Sequence, residues 1–227
     1  MALRLDIITL FPEIFFGPFE ASIVKRAREK KLVEINVIDL RDFTTDKHRS
    51  VDDRPYGGGP GMIMTPEPLI KAVESVKTSE SKVLLMAPQG EVFKQKTASE
   101  LQSESHLIFI CGHYEGIDDR VRQAVVDRVF SIGDYVLSNG NLAAMVISDA
   151  IIRLLPGALG CQQSAETESF CEEGLLEYPQ FTRPEVFKGM AVPEVLLSGN
   201  HKKIEEWRKE QSLVLTKRKR PDLLKET

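Results

Sequence analysis

Cysteine is scarce in this chain: three among 227 residues, Cys111, Cys161 and Cys171. An odd number with no C-x-x-C pair excludes a disulfide framework and a thiolate zinc site, and fits reduced thiols in a cytoplasmic compartment. The four histidines, His48, His106, His113 and His201, are scattered without metal-ligand spacing, which argues against a histidine metal centre. Long apolar runs are missing too. Segments such as "LIFIC" fall far short of the ~20 residues that cross a bilayer. The beginning, "MALRLDIITLF", lacks the apolar core of a signal peptide, because Asp6 interrupts it. No G-x-S-x-G nucleophile elbow is present, and no histidine is paired with a cysteine, so covalent hydrolase chemistry is disfavoured. Internal repeats are absent.

What remains is an ordinary globular composition, 42% hydrophobic and 28% charged. A chain of this length buries roughly 70% of its unfolded surface. The formal charge of −4 neither requires nor forbids nucleic acid; local clustering decides that.

The first half alternates two kinds of segment. "LRLDIITL", "VEINVIDL", "KVLLMAPQG", "LIFIC" and "VFSI" read as strands. Helical stretches follow Pro12 (broken near Gly17-Pro18), Thr65-Pro66, Gly90, Gly116 and Gly140. Short apolar strands separated by helices predict an α/β fold with a largely parallel sheet. The helix expected from about Leu142 to Leu155 is apolar on nearly every face, so it is buried in the core or beneath another subunit. Asp149 and Arg153 stand four apart on it, and an intrahelical ion pair is the plain reading of both.

From Cys161 to Tyr178 the character changes. "CQQSAETESFCEEGLLEY" carries five glutamates and little periodicity, as a flexible acidic linker would. Residues 1–160 and 179–227 therefore read as separate domains. The second holds a charged amphipathic helix, "NHKKIEEWRKEQSLVLTKRKR", with the single tryptophan, Trp207, and a basic end at Lys217–Arg220. That end suits the helix dipole or a nucleic-acid contact.

Three glycine-bearing loops follow three apolar strands: Ala87–Gly90, Gly112–Gly116 and Ile132–Gly140. In a parallel sheet such loops converge on one ligand crevice. Glu115, Asp118, Asp119, Asp134 and Tyr135 are the polar candidates there. Asp118 and Asp119 suit a first helical turn, which leaves Glu115 the better functional candidate. A fourth glycine cluster, "DDRPYGGGPGM", is neither a P-loop nor a dinucleotide fingerprint, since no Gly-Lys-Ser/Thr follows it and no clean strand precedes it.

The stretches "LFPEIF", "RDFTTDKHRSVDDRPYGGGPGM", "APQG", "CGHYEGID", "SIGDYVLS", "SDAIIRLLPG", "YPQFTRPEVF", "VPEVLLSGNH" and "KRPDLL" occur in this order. Together they resemble the TrmD family of bacterial tRNA (guanine-N1)-methyltransferases, of the SPOUT superfamily. That resemblance implies a parallel sheet with a deep trefoil knot, a small C-terminal helical tRNA-binding domain and a homodimer. It implies methyl transfer from S-adenosylmethionine to N1 of guanosine-37, 3′ of the tRNA anticodon. It assigns the cofactor to Pro88, Gln89, Gly112, Tyr114, Glu115, Gly116, Ile132, Gly133, Asp134, Tyr135, Val136 and Leu137. The substrate guanine falls to Asp52, Pro60 and Gly61, with Pro60-Gly61 lying flat against the base. Catalysis falls to Arg153 and to a carboxylate two residues before a phenylalanine, here Glu168 where the family has aspartate. Magnesium is implied as well, with Glu115 as its contributor.

The chain departs from the family at "SNGNLA", which replaces "SGGELP". Asn139 stands in a glycine position, tolerable there if φ is positive because asparagine visits that region most readily; Asn141 removes a carboxylate and Ala143 removes a proline. With Glu168, these departures raise an alternative: a catalytically weakened homologue that binds tRNA or cofactor.

Overall fold

Residues 2–160, 168–171 and 174–224 are described by a computed structural model. The apolar runs become β1 (Leu3–Thr9), β2 (Val33–Asp39), β5 (Ser81–Val92), β6 (His106–Cys111) and β7 (Arg128–Ser131). These form one sheet in the order β2-β1-β6-β5-β7, with every neighbouring pair parallel. A separate two-residue ladder joins β3 (Asp52–Asp53) to β4 (Ile63–Met64), antiparallel.

Helices cover both faces, which is why the strands are apolar on both sides. Leu84, Met86, Leu107, Phe109 and Cys111 point to one face, where they meet α1 (Ser22–Glu29), α3 (Gln95–Leu101) and α5 (Asn141–Ile152). Val83, Leu85, Ile108 and Ile110 alternate to the other, beneath α2 (Pro66–Val76) and α4 (Asp119–Val125). The stretch after Pro12 breaks as expected, into 3-10 turns at Pro12–Phe15 and Pro18–Glu20 ahead of α1. Only one face of α5 reaches the core. Ala144, Ile147, Ser148 and Ile151 are buried, while Leu142 and Val146 on the opposite side are about half exposed, at 52% and 49%.

One strand differs from expectation. "KVLLMAPQG" was expected to end at Pro88 and Gly90, because proline cannot donate to a ladder. Instead Phe130 pairs with both Met86 and Glu91. Residues 87–90 thus bulge out of β5 and the strand then resumes along β7.

At the N-terminal edge of the sheet a polar network replaces apolar packing. Asp6, fully buried, accepts from Arg4 Nε (3.2 Å), Asn36 Nδ2 (2.9 Å) and His106 Nε2 (2.9 Å). A carboxylate only accepts, so Nε2 carries the proton, and His106 Nδ1 accepts from the Ser81 hydroxyl at 2.7 Å.

The chain divides into two compact units, Met1–Gly160 and Cys161–Thr227. Much of the stretch read as a linker, 161–167 and 172–173, lies outside the described residues. The second unit contains a hairpin, Val186–Phe187 with Met190–Ala191, and the long helix His201–Lys219, capped by Asn200, which accepts from the Lys203 N–H. Trp207 packs on Phe181, ring centroids 6.4 Å apart. Buried Thr216 accepts from the Leu176 N–H at 2.9 Å. Among the described residues no helix is long and apolar enough to cross a membrane.

Removing Asp6 would strand three buried or half-buried donors. Asp6→Ala is expected to lower the unfolding free energy by about 3 kcal/mol, measured by urea denaturation with an unchanged slope. A loss below about 1 kcal/mol would mean that water enters and satisfies the network.

Candidate functional site

The three glycine loops meet at the C-terminal ends of β5, β6 and β7, where they enclose a cleft of about 310 Å³. The first is the bulge in β5. Its return is tight, since a Cβ on Gly90 would lie 2.5 Å from the Phe130 nitrogen. The second loop, Gly112–Gly116, is laced to the segment before α2. Glu115 N–H donates to Met62 O (3.1 Å), Met64 N–H to Gly116 O (3.0 Å) and Asp118 N–H to Met64 O (3.0 Å). The third loop, Ile132–Gly140, returns over β5 and β6, and Gly140 N–H donates to Gly112 O at 2.8 Å. There the backbones touch: a Cβ on Gly140 would sit 2.9 Å from Met86 Cβ and 3.0 Å from Cys111 Cα.

Pro88 and Gln89 line this cleft, as do Gly112, Tyr114, Glu115 and Gly116, and Ile132, Gly133, Tyr135, Val136 and Leu137. Asp134 does not; it is exposed beside them. Asp52 lies half-buried on β3, opposite Met64. Its carboxylate and the guanidinium of Arg41 act electrostatically on the Tyr114 hydroxyl. Burial, then the negative charge of Asp52, raise that hydroxyl above its usual value of 10, while Arg41 opposes the shift. Tyr114 holds a left-handed φ of 57°, a strained conformation for a side-chain-bearing residue.

Pro60 and Gly61 are exposed. Gly61 has φ of 78°, and a Cβ there would lie 2.5 Å from Glu115 Cγ. The glycine therefore makes room for Glu115, a reason not foreseen from sequence. Gly57, Gly58 and Gly59 have open space around them and are glycine for their positive φ alone. Asp118 caps α4 by accepting from the Arg120 N–H, and Asp119 pairs with Arg122. Hydrogen bonds from those arginines hold both carboxyls below the usual carboxylate range. Burial pushes the Cys111 thiol far up, so it is inert.

A family model described as tRNA (Guanine-1)-methyltransferase TrmD matches residues 3–226. The chain belongs to that family. A tRNA (guanine-N(1)-)-methyltransferase of Carboxydothermus hydrogenoformans is 59% identical over 98% of this chain and 88% of its own length. Proteins of the same description from Dictyoglomus turgidum and Bacillus cereus are each 57% identical over 99% of this chain, and over 91% and 93% of their own lengths.

In this enzyme Arg153 is the C-cap of α5, half-buried, its N–H donating to Asp149 O. The described residues show no ion pair between Arg153 and Asp149, so the plain reading of that pair does not hold. α5 starts at the cleft, which Ala143 lines, and Arg153 follows ten residues later, about 15 Å along the helix axis at ~1.5 Å per residue. Glu168 belongs to the second unit, where its carbonyl accepts from the Cys171 N–H. Asn139 is not at positive φ. Its side chain instead accepts from the Asn141 N–H at 3.0 Å, so it starts the helix in the way that asparagine favours. Buried Asn141 accepts from the Thr9 hydroxyl at 2.9 Å. No group of three His, Cys, Asp or Glu that could hold a metal occurs among the described residues. His113 also lines the cleft. Lack of ligand spacing hid it from the sequence reading, although its place inside the second glycine loop was a usable signal.

Two outcomes test this geometry. Gly90→Ala, which presses on backbone, should cost about 3 kcal/mol. Gly61→Ala should cost only about 1–2 kcal/mol, because the flexible Glu115 side chain can swing aside; chemical denaturation of both variants compares them. Ultraviolet titration should show Tyr114 ionising above 10, read as the difference from Tyr114→Phe, with Asp52→Asn bringing the midpoint partly back. A raised phenol contributes stability that is present below its unfolded value and is lost as pH climbs through the folded one.

Proposed function

We propose that the protein transfers a methyl group from S-adenosylmethionine to N1 of guanosine-37 in tRNA, the nucleotide 3′ of the anticodon. Family membership across 3–226 supports this, and the observation that carries it is the convergence of the three loops on one cleft. The cleft fits the cofactor. Its volume lies in the range of small-molecule sites, its walls at Leu85, Ile132 and Leu137 are apolar, and backbone groups of Gly112 and Gly133 edge it. Pro88, Gln89, Gly112, Tyr114, Glu115, Gly116, Ile132, Gly133, Tyr135, Val136 and Leu137 would hold S-adenosylmethionine, whose sulfonium supplies an electrophilic methyl when bound.

The protein's own task is a proton. Guanine N1 is protonated near neutral pH, so a base must take that proton as the methyl arrives. Glu168 is that base in this reading, an assistance typically worth about 10²–10⁴-fold. Arg153 stabilises the negative charge that develops on the guanine. Asp52, Pro60 and Gly61 hold the flipped base, on a segment hydrogen-bonded to the second loop.

A homodimer follows from the same reading. Arg153 is about a helix length from its own chain's cleft, and the outward side of α5 offers Leu142 and Val146, with Ile14 and Phe16 also exposed. A second copy covering this face would bring the arginine to a cleft. The trefoil knot is supported by the course of the third loop, which leaves β7 and crosses the ends of β5 and β6 before α5 begins. Residues 161–178 serve as linker and 179–227 as a small tRNA-binding domain. The cytoplasm, where tRNA is modified, is the site of action. Among the described residues magnesium finds no ligand set, since Glu115 has no carboxylate or histidine cluster around it, and no step is routed through it. The weakened-homologue alternative is disfavoured, because Glu168 keeps a carboxylate, Asn139 bonds the start of α5 and Asn141 Oδ1 accepts from Thr9, although the buried Asn141 Nδ2 makes no hydrogen bond among the described residues.

Protein, S-adenosylmethionine, magnesium salt and a tRNA transcript should yield a reverse-transcription stop beside the anticodon, since N1 methylation blocks pairing. Cofactor binding without a stop would sink the assignment. Glu168→Ala should slow the reaction by about 10²–10⁴-fold and Arg153→Ala by about 10²–10³-fold, both with cofactor affinity retained in calorimetry.

A further inference from the structure

We propose that His113 is a positioning residue: its imidazole pins the third loop to the second and so sets the affinity of the cleft for S-adenosylmethionine. This rests on reading the cleft as the methyl-donor site.

Four segments meet at His113. Its Nδ1 lies 3.0 Å from the Ser138 carbonyl oxygen. A carbonyl only accepts, so Nδ1 carries the proton and donates. The backbone N–H of His113 donates to Met64 Sδ at 3.2 Å. The ring meets Phe11 edge-on at 5.2 Å and leans on Tyr114 at 4.5 Å. The imidazole is thus held by aromatic contacts on the second-loop side, and its one directional hydrogen bond is spent on the third loop.

The third loop has little else to hold it. Gly140 N–H anchors its end to Gly112. Ser131 and Gly133 bond to each other at its start, Tyr135 donates its N–H to Gly133 O and its hydroxyl to Ile132 O within the loop, and among the described residues the Asn139 side chain bonds only to Asn141. Between those points, the Ser138 carbonyl makes the one hydrogen bond from residues 134–139 to another loop among the described residues. Packing does not compensate, because Val136 is 87% and Tyr135 55% exposed. Tyr135, Val136 and Leu137 line the cleft immediately before Ser138, so releasing that carbonyl frees one wall of the site.

Three variants separate the donor from the ring. His113→Phe keeps the aromatic contacts and loses the donor; His113→Asn keeps an N–H near the position of Nδ1; His113→Ala loses both. Calorimetry with S-adenosylmethionine should show His113→Phe binding about 3–10-fold more weakly, the worth of one hydrogen bond, and His113→Asn within about 2-fold of the unsubstituted protein. In cofactor-free protein, amide hydrogen exchange at 134–139 should quicken in the Phe and Ala variants and stay slow in the Asn variant. Thermal melts confirm that each variant is folded. Unchanged exchange in His113→Phe would overturn the proposal, as would faster exchange with unchanged affinity. Failure of the unsubstituted protein to bind the cofactor would overturn the reading of the cleft and the affinity claim together. The exchange data, which need no ligand, would show which of the two had failed.

Discussion

Two backbones cross at Gly112 and Gly140, and the rest of the cleft depends on that crossing. The hydrogen bond between them is short and the space around Gly140 is closed by Met86 and Cys111. A side chain there would force the third loop away from the strand ends. Without the crossing, α5 would not start beside Thr9, and the third loop would not wall the site opened by the bulge in β5. A parallel sheet brings its loops to one edge in any case. What is particular here is that the third loop is carried back across its neighbours.

The second dependency is the lacing of residues 62–64 to Gly112–Asp118. Three backbone hydrogen bonds tie the segment after the glycine cluster to the second loop. Asp52 pairs with Met64, and its negative charge acts on the hydroxyl of Tyr114. The surfaces assigned to guanine and to methyl donor are therefore not independent walls. A shift in one is transmitted through peptide groups that have no freedom to slide.

Much of this was legible before any coordinates. Short apolar runs marked the strands, because a sheet covered on both faces leaves apolar residues at nearly every position. Pro12, Gly17-Pro18 and Pro66 marked breaks and starts by their fixed φ. The bulge at 87–90 was not legible: proline and glycine signalled an end, and only the return of Glu91 to Phe130 shows that the ladder resumes. Asn139 needs no left-handed backbone, because its side chain accepts from the Asn141 N–H instead, a role that sequence alone does not distinguish. The reason for Gly61 was also hidden, since it lies in the side chain of a residue more than fifty positions away. The residues proposed to hold the cofactor were named by resemblance, and Asp134, outside the cleft that its neighbours line, shows that neighbours in a motif need not share a cavity.

The lone tryptophan gives the molecule an uneven optical character. Trp207 sits on the long helix of the second unit, against Phe181, whereas the sheet and its cleft contain only phenylalanine, tyrosine and histidine as rings. Excited at its red edge, the protein emits from the C-terminal unit alone. Indole emission thus reports on the unit proposed to bind RNA, whereas circular dichroism follows the melting of the sheet. The two signals together make the chain its own two-channel reporter of whether its units unfold in one step.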